Sequence, residues 1–251
     1  MSDISLRGEA TGAPAAATRA TGGGIDWFLL VALILVAITF VRAIYFTPVE
    51  ATQGPAQKIF YVHAPSAWVA FLAFGIVALT SILYLWLKDP KLDLVAESSA
   101  EVGVVFTTMV LISGPLWGKP VWGTWWTWDA RLTSELVLLF LFLGVIGLYH
   151  AFEDRRQGAR AAAFLAIIGI INVPIVHFSV NWWNTLHQGS TVNVFGQSKM
   201  SWDMLWPLLT MTLATKFYYA ASLFRRVRTD LLALEGGKDW VRRIAEDEVD
   251  R

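Results

Sequence analysis

Cysteine is missing altogether from the 251 residues. Its absence excludes disulfides, thiolate metal ligands, thiol relays and a haem tethered through a C-x-x-C-H motif within this chain. No G-x-x-x-x-G-K-[ST] run occurs, so hydrolysis of nucleotide by a P-loop is excluded and any ATP chemistry belongs to another subunit. Charge is scarce as well: Asp, Glu, Lys and Arg make up 16% of the chain and cancel to a net of zero. No bulk field therefore draws nucleic acid or an acidic substrate. What remains is apolar, 55% of residues, in uncharged runs of about 20, the length at which a helix crosses a hydrocarbon core of about 30 Å.

These runs predict an all-α, polytopic integral membrane protein with six transmembrane helices in contact with lipid. The spans are Trp27–Phe46, Ala64–Leu87, Val102–Leu116, Leu132–His150, Ala161–Val180 and Met204–Phe224, the third being the shortest. Helices are expected because lipid offers no partner to a free backbone amide, and the alternation of a barrel is absent. Residues 1–24, rich in Ala, Gly and Thr, read as a disordered tail rather than a cleaved signal. The membrane domain covers 25–225, and 226–251 form a carboxyl-terminal tail. The two tails, Arg225 at the edge of the second, and the loops near 88–98 and 151–160 hold 14 of the 20 basic residues. By the positive-inside rule both termini are cytoplasmic and the loops near 47–63, 117–131 and 181–203 face outward.

One outward loop carries the stretch VWGTWWTWDARLT, residues 121–133. If Pro120 opens a short helix, Trp122, Trp125, Trp126 and Asp129 share one of its faces, with Gly123 off the stripe where a ligand or another backbone could approach. Trp27, Trp68, Trp86 and Trp206 fit an interfacial aromatic belt. Trp122, Trp125, Trp126 and Trp128 within seven positions are too dense for anchoring, and packing between helices competes with a platform for a large, flat, apolar ligand. Asp129 is placed to cap the fourth span, a role compatible with a part in the site. Arg131 suits bidentate recognition of a carboxylate, or forms an ordinary i, i+4 pair with Glu135.

Of the four histidines, His150 sits at a helix C-terminus where a cation is favourable, and His177 reads as a polar contact inside the bundle. His63, in KIFYVHAPSAW, and His187, in NWWNTLHQGST, fall on the same side as the tryptophans. Two imidazoles flanking an aromatic platform suit the axial positions of a haem iron.

The tryptophan stretch resembles the WWD signature of the cytochrome c assembly family. With KIFYVHAPSAW before it and NVPIVHFSVNWWNTLHQG after it, the chain is similar to that family's haem exporter C branch over about residues 25–225. The resemblance implies a protein that holds haem b transiently at the outer face of a bacterial inner membrane and passes it to a membrane-anchored haem chaperone. It implies a small single-span subunit and an ABC-type ATPase with its membrane subunit as partners, and no turnover chemistry in this chain. His63 and His187 fall where the family has its axial ligands. Trp117, Trp122, Gly123, Trp125, Trp126, Trp128, Asp129 and Arg131 fall on the signature, with Arg42, Lys58 or Lys119 as further cations for propionates. Two other classes stand beside this reading. A secondary transporter or channel draws only on Asn172, Pro174 and His177 in the fifth span, and a membrane cytochrome would need a histidine pair inside the bundle.

Overall fold

Asp26 opens the first helix by accepting the Leu29 amide at 3.0 Å, and α1 then runs Trp27–Tyr45. The computed structural model describes residues 26–187, 189, 192, 198–241 and 243–244; the expected tail at 1–24 and the end of the other tail lie outside them. A short 3-10 turn, Pro55–Ile59, leads into α2, Phe60–Leu87. Next come α3, Pro90–Trp122, and α4, Ala130–His150. The chain closes with α5, Arg155–Gly169, α6, Asn172–Trp182, and α7, Trp202–Leu234. No strand is present among the described residues.

Five stretches are long and apolar enough to cross a membrane: Trp27–Tyr45, Pro55–Leu87, Pro90–Trp122, Ala130–His150 and Arg155–Trp182, the last made of α5 and α6. The sixth expected span, Met204–Phe224, lies within α7, which is not among them. Pro207, Lys216 and a run of threonines dilute that helix. It packs along α1, α2 and α3, so its polar positions have protein as well as lipid beside them.

The third helix is much longer than expected. Hydropathy begins it at Val102, but α3 starts at Pro90, turning most of the expected 88–98 loop into helix. The loop contracts to Lys88, whose left-handed backbone (φ 59°) ends α2, and Asp89, whose carboxylate caps α3 at the Lys91 amide, 2.9 Å away. Pro90 then occupies the first turn, where its missing amide costs nothing. The added turns are polar yet satisfied. Tyr149 donates to buried Asp93 at 2.8 Å, Arg155 reaches Glu97 at 2.7 Å, and Arg226 pairs with Glu101.

Between the ends, small residues let the helices approach. Ala73 on α2, Ala96 and Ala100 on α3, and Ala159, Ala162, Ala163 and Ala166 on α5 are all buried around Phe74 and Phe142, whose rings meet edge to face at 5.0 Å. Lipid removes the usual hydrophobic drive between helices, so such close packing and buried hydrogen bonds hold the bundle. Ser99 supplies one, donating to the Ala73 carbonyl at 3.0 Å with the Tyr219 hydroxyl 2.7 Å away.

Candidate functional site

The tryptophan stretch does not form the expected separate helix. Pro120 lies in the last turn of α3, which ends at Gly123 with φ +79° and its amide on the Lys119 carbonyl at 3.0 Å. Only glycine takes that conformation without strain, so Gly123 stops the helix. A side chain there would meet open space, so no other part of the described chain packs closely on it. From Thr124 to Trp128 the chain is irregular, and α4 begins at Ala130.

Irregular or not, the stretch folds over a cavity of about 460 Å³ between α2, α3, α4, α6 and α7. His63, Trp117, Trp122, Trp125, Trp126, Arg131 and His187 line it. Gly123, Trp128 and Asp129 do not, and Trp128 is 77% exposed. Segments 124 residues apart in sequence thus bring both imidazoles to one chamber. Aromatic contacts connect them: His63 meets Trp117 at 5.7 Å, Trp117 meets Trp122 at 6.1 Å, and Trp122 meets His187 at 4.7 Å between ring centres.

Each imidazole is held by its Nδ1. That of His63 lies 3.0 Å from Ser113 Oγ, whose own hydrogen goes to the Met109 carbonyl at 2.7 Å. The serine oxygen therefore accepts from Nδ1–H, and Nε2 keeps its lone pair. His187 turns Nδ1 toward two acceptors, Thr185 Oγ1 at 3.4 Å and Asp129 Oδ2 at 3.8 Å. In both rings Nε2 is the nitrogen left for a metal, the arrangement in which a second group sets the tautomer of a ligand histidine.

Asp129 ties the His187 loop to the start of α4. Its Oδ1 accepts the Leu132 amide at 2.8 Å, the expected cap, while Oδ2 accepts the Thr185 hydroxyl at 2.6 Å and the Leu186 amide at 3.3 Å. Burial pushes this carboxyl up, but the His187 ring beside it and the hydrogen bonds from the Leu132 amide and the Thr185 hydroxyl outweigh it and hold it well below the usual carboxylate range.

Arg131 does not pair with Glu135. Its Nη2 donates to the His177 carbonyl at 2.9 Å and its Nε to Ser179 at 3.3 Å, which braces α4 against α6 at the cavity wall. None of the further expected cations lines the cavity. Lys119 donates to the Gly123 carbonyl and lies 6.0 Å over Trp125, Arg42 is engaged with the Phe46 carbonyl, and Lys58 with that of Ile44. Lys216 on α7 lines it instead.

Several contributors escaped the sequence reading. Trp68, assigned to an aromatic belt, is in the cavity wall with Glu135 and His177. On α3, Gly118 is forced by closeness, whereas Gly114 faces His63 at no more than ordinary contact. A Cβ at Gly118 would come within 2.9 Å of the Trp122 ring, and one at Gly114 within 3.4 Å of His63. Their G-x-x-x-G spacing, the pattern of close helix contact in membranes, was the available signal.

The family model described as heme exporter protein C matches residues 9–242. Curated relatives carrying that name include one from Haemophilus influenzae, 39% identical over 219 residues, 87% of this chain and 89% of the relative. Another, from Escherichia coli K12, is 39% identical over 225 residues, 88% and 89% of the two chains. One from Bradyrhizobium diazoefficiens is 38% identical over 208 residues, 83% and 79% of the two.

Proposed function

Given that the chain belongs to the heme exporter protein C family, we propose that it holds haem b in the cavity beneath the tryptophan loop and passes it on during c-type cytochrome biogenesis. The recipient is a membrane-anchored haem chaperone. A small single-span subunit and an ABC-type ATPase with its membrane subunit complete the assembly, and any ATP hydrolysis is theirs. In this reading α7 is the sixth crossing despite its threonines and lysine, both termini are cytoplasmic, and the site opens at the periplasmic face of a bacterial inner membrane.

The cargo fits the cavity by its chemistry. Haem presents a flat apolar ring, an iron that takes axial nitrogen and two carboxylates. The walls supply indoles, two imidazoles with Nε2 uncommitted among the described hydrogen bonds, and the Arg131 guanidinium. A volume of about 460 Å³ sits within the range of ordinary ligand sites, about 300–1,000 Å³. The observation that carries the reading is that His63 and His187, from distant segments, line one chamber with Trp117 and Trp122 between them.

Trp125 at 56% exposure and Trp128 at 77% form the outer lip, where a docking chaperone meets the cargo. A loop-covered site releases its ligand more readily than one sealed inside the bundle. The test is spectroscopic. Purified protein carries haem with a low-spin, bis-imidazole spectrum, and His63→Ala or His187→Ala disturbs it. Two variants indistinguishable from wild type would remove the ligand assignment. The transporter reading has one observation in its favour, the break between α5 and α6 at Ile170 and Ile171. Haem flux through liposomes containing this chain alone, surviving removal of both histidines, would support it.

A further inference from the structure

Among the described residues, two buried polar atoms in the cavity wall have no hydrogen-bond partner: Glu135 Oε1 and Trp126 Nε1. Glu135 is only 5% exposed and stands one helical turn beyond Arg131 on α4. The two do not form an ion pair among the described residues, because Arg131 is drawn to α6. A buried polar group left unanswered bears its full desolvation cost, so both atoms are placed to be answered by whatever fills the chamber.

The chemistry of the three groups narrows that partner. Trp126 Nε1 and the guanidinium are donors only. A cationic ligand group would face Arg131 with like charge, and a single hydroxyl, which could accept from both donors and give its proton to Glu135, brings no charge to offset the guanidinium. A carboxylate has two oxygens and about four lone-pair sites, enough for guanidinium, indole and a third donor together. Glu135 becomes that third donor when it carries its proton. Ionised, it would repel the ligand's carboxylate at close range.

We propose that Arg131, Trp126 and Glu135 form a carboxylate subsite, in which the Glu135 carboxyl acts as an acid and donates to a ligand carboxylate seated on Arg131. The O–H···O⁻ bond so made is charge-assisted and short. The inference rests on the haem reading, whose propionates are the carboxylates in question. It adds a residue that stands one turn from Arg131 without forming an ion pair with it among the described residues.

The experiment compares ferric protoporphyrin IX with its dimethyl ester, which keeps the ring and the iron but has no carboxylate. Full-length protein in lipid nanodiscs is titrated with each, for wild type, Glu135→Gln, Glu135→Leu and Trp126→Phe. Wild type prefers the free acid. Glu135→Leu loses about tenfold of that preference and Glu135→Gln, which still donates, keeps it within about threefold, while Trp126→Phe falls between them. Ester affinity stays level throughout. A preference unchanged in Glu135→Leu overturns the inference, as does equal weakening of acid and ester in both Glu135→Leu and Glu135→Gln. If wild type binds neither compound, the haem reading itself fails, and that result is distinct from the other two.

Discussion

At the end of the bundle where α2 turns into α3, each acidic side chain of α3 is answered inside the protein. Asp93 takes Tyr149 and Arg155, Glu97 takes Arg155, and Glu101 takes Arg226. At the opposite end, where α3 gives way to α4, large rings stand exposed and two polar atoms in the cavity wall lack partners among the described residues. The first arrangement closes a structure; in the haem reading the second is completed by the ligand. Both are built on the same helices, so stability and ligand chemistry are separated along the length of α3 and α4.

The separation has measurable consequences. The largest effect belongs to the packed middle, where a Cβ at Gly103 would sit 2.4 Å from the Phe142 ring and 3.1 Å from Ala73. Gly103→Ala lowers stability by about 1–3 kcal/mol, seen as earlier thermal unfolding in detergent. Its folded fraction keeps the haem spectrum of wild type. Asp129→Ala acts at the other end, freeing the His187 loop and removing the α4 cap. It weakens haem binding by about 10–100-fold, and costs about 1 kcal/mol of stability.

The same carboxyl sets an acid limit. Its value is depressed on folding, so its stabilisation is complete above the ordinary carboxylate value of about 4 and drains away as pH falls below that. Unfolding followed from pH 7 to 3 shows this acid limb in wild type, and Asp129→Asn flattens it. Gly118→Ala comes next: displacement of the Trp122 ring weakens haem binding by about tenfold or less, with a smaller change in melting temperature. Trp128→Ala has the smallest effect. The ring is exposed and outside the cavity, so equilibrium haem affinity in a titration moves by less than about twofold.

The two ends also differ in how well sequence exposes them. Apolar runs mark the bundle because lipid filters for them, and Asp129 before an apolar run reads as a cap for a local reason. The first turns of α3 escape hydropathy, since Asp93 and Glu97 are kept by partners on α4 and α5 that lie far away in sequence. At the site, topology puts His63 and His187 on one side, but the rings between them, with Trp122 packed on Gly118, come together only in the fold. The tryptophan spacing suggests a helix of its own, whereas Gly123 at a positive φ ends the previous one. Glu135 reads as Arg131's partner at i, i+4, a rule of isolated helices that the α6 carbonyl overrides here.

The central claim is that two imidazoles distant in sequence converge on one chamber, and the absence of native cysteine makes it directly measurable. With His63→Cys and His187→Cys introduced together, the only thiols in the chain are the two under test. A short bifunctional maleimide applied to the full chain in membranes should join them within one molecule, as a peptide pair identified by mass spectrometry, and haem supply should not be needed for it. Two thiols that react separately and never link, or that are reached by impermeant reagents from opposite sides of the membrane, would contradict the account.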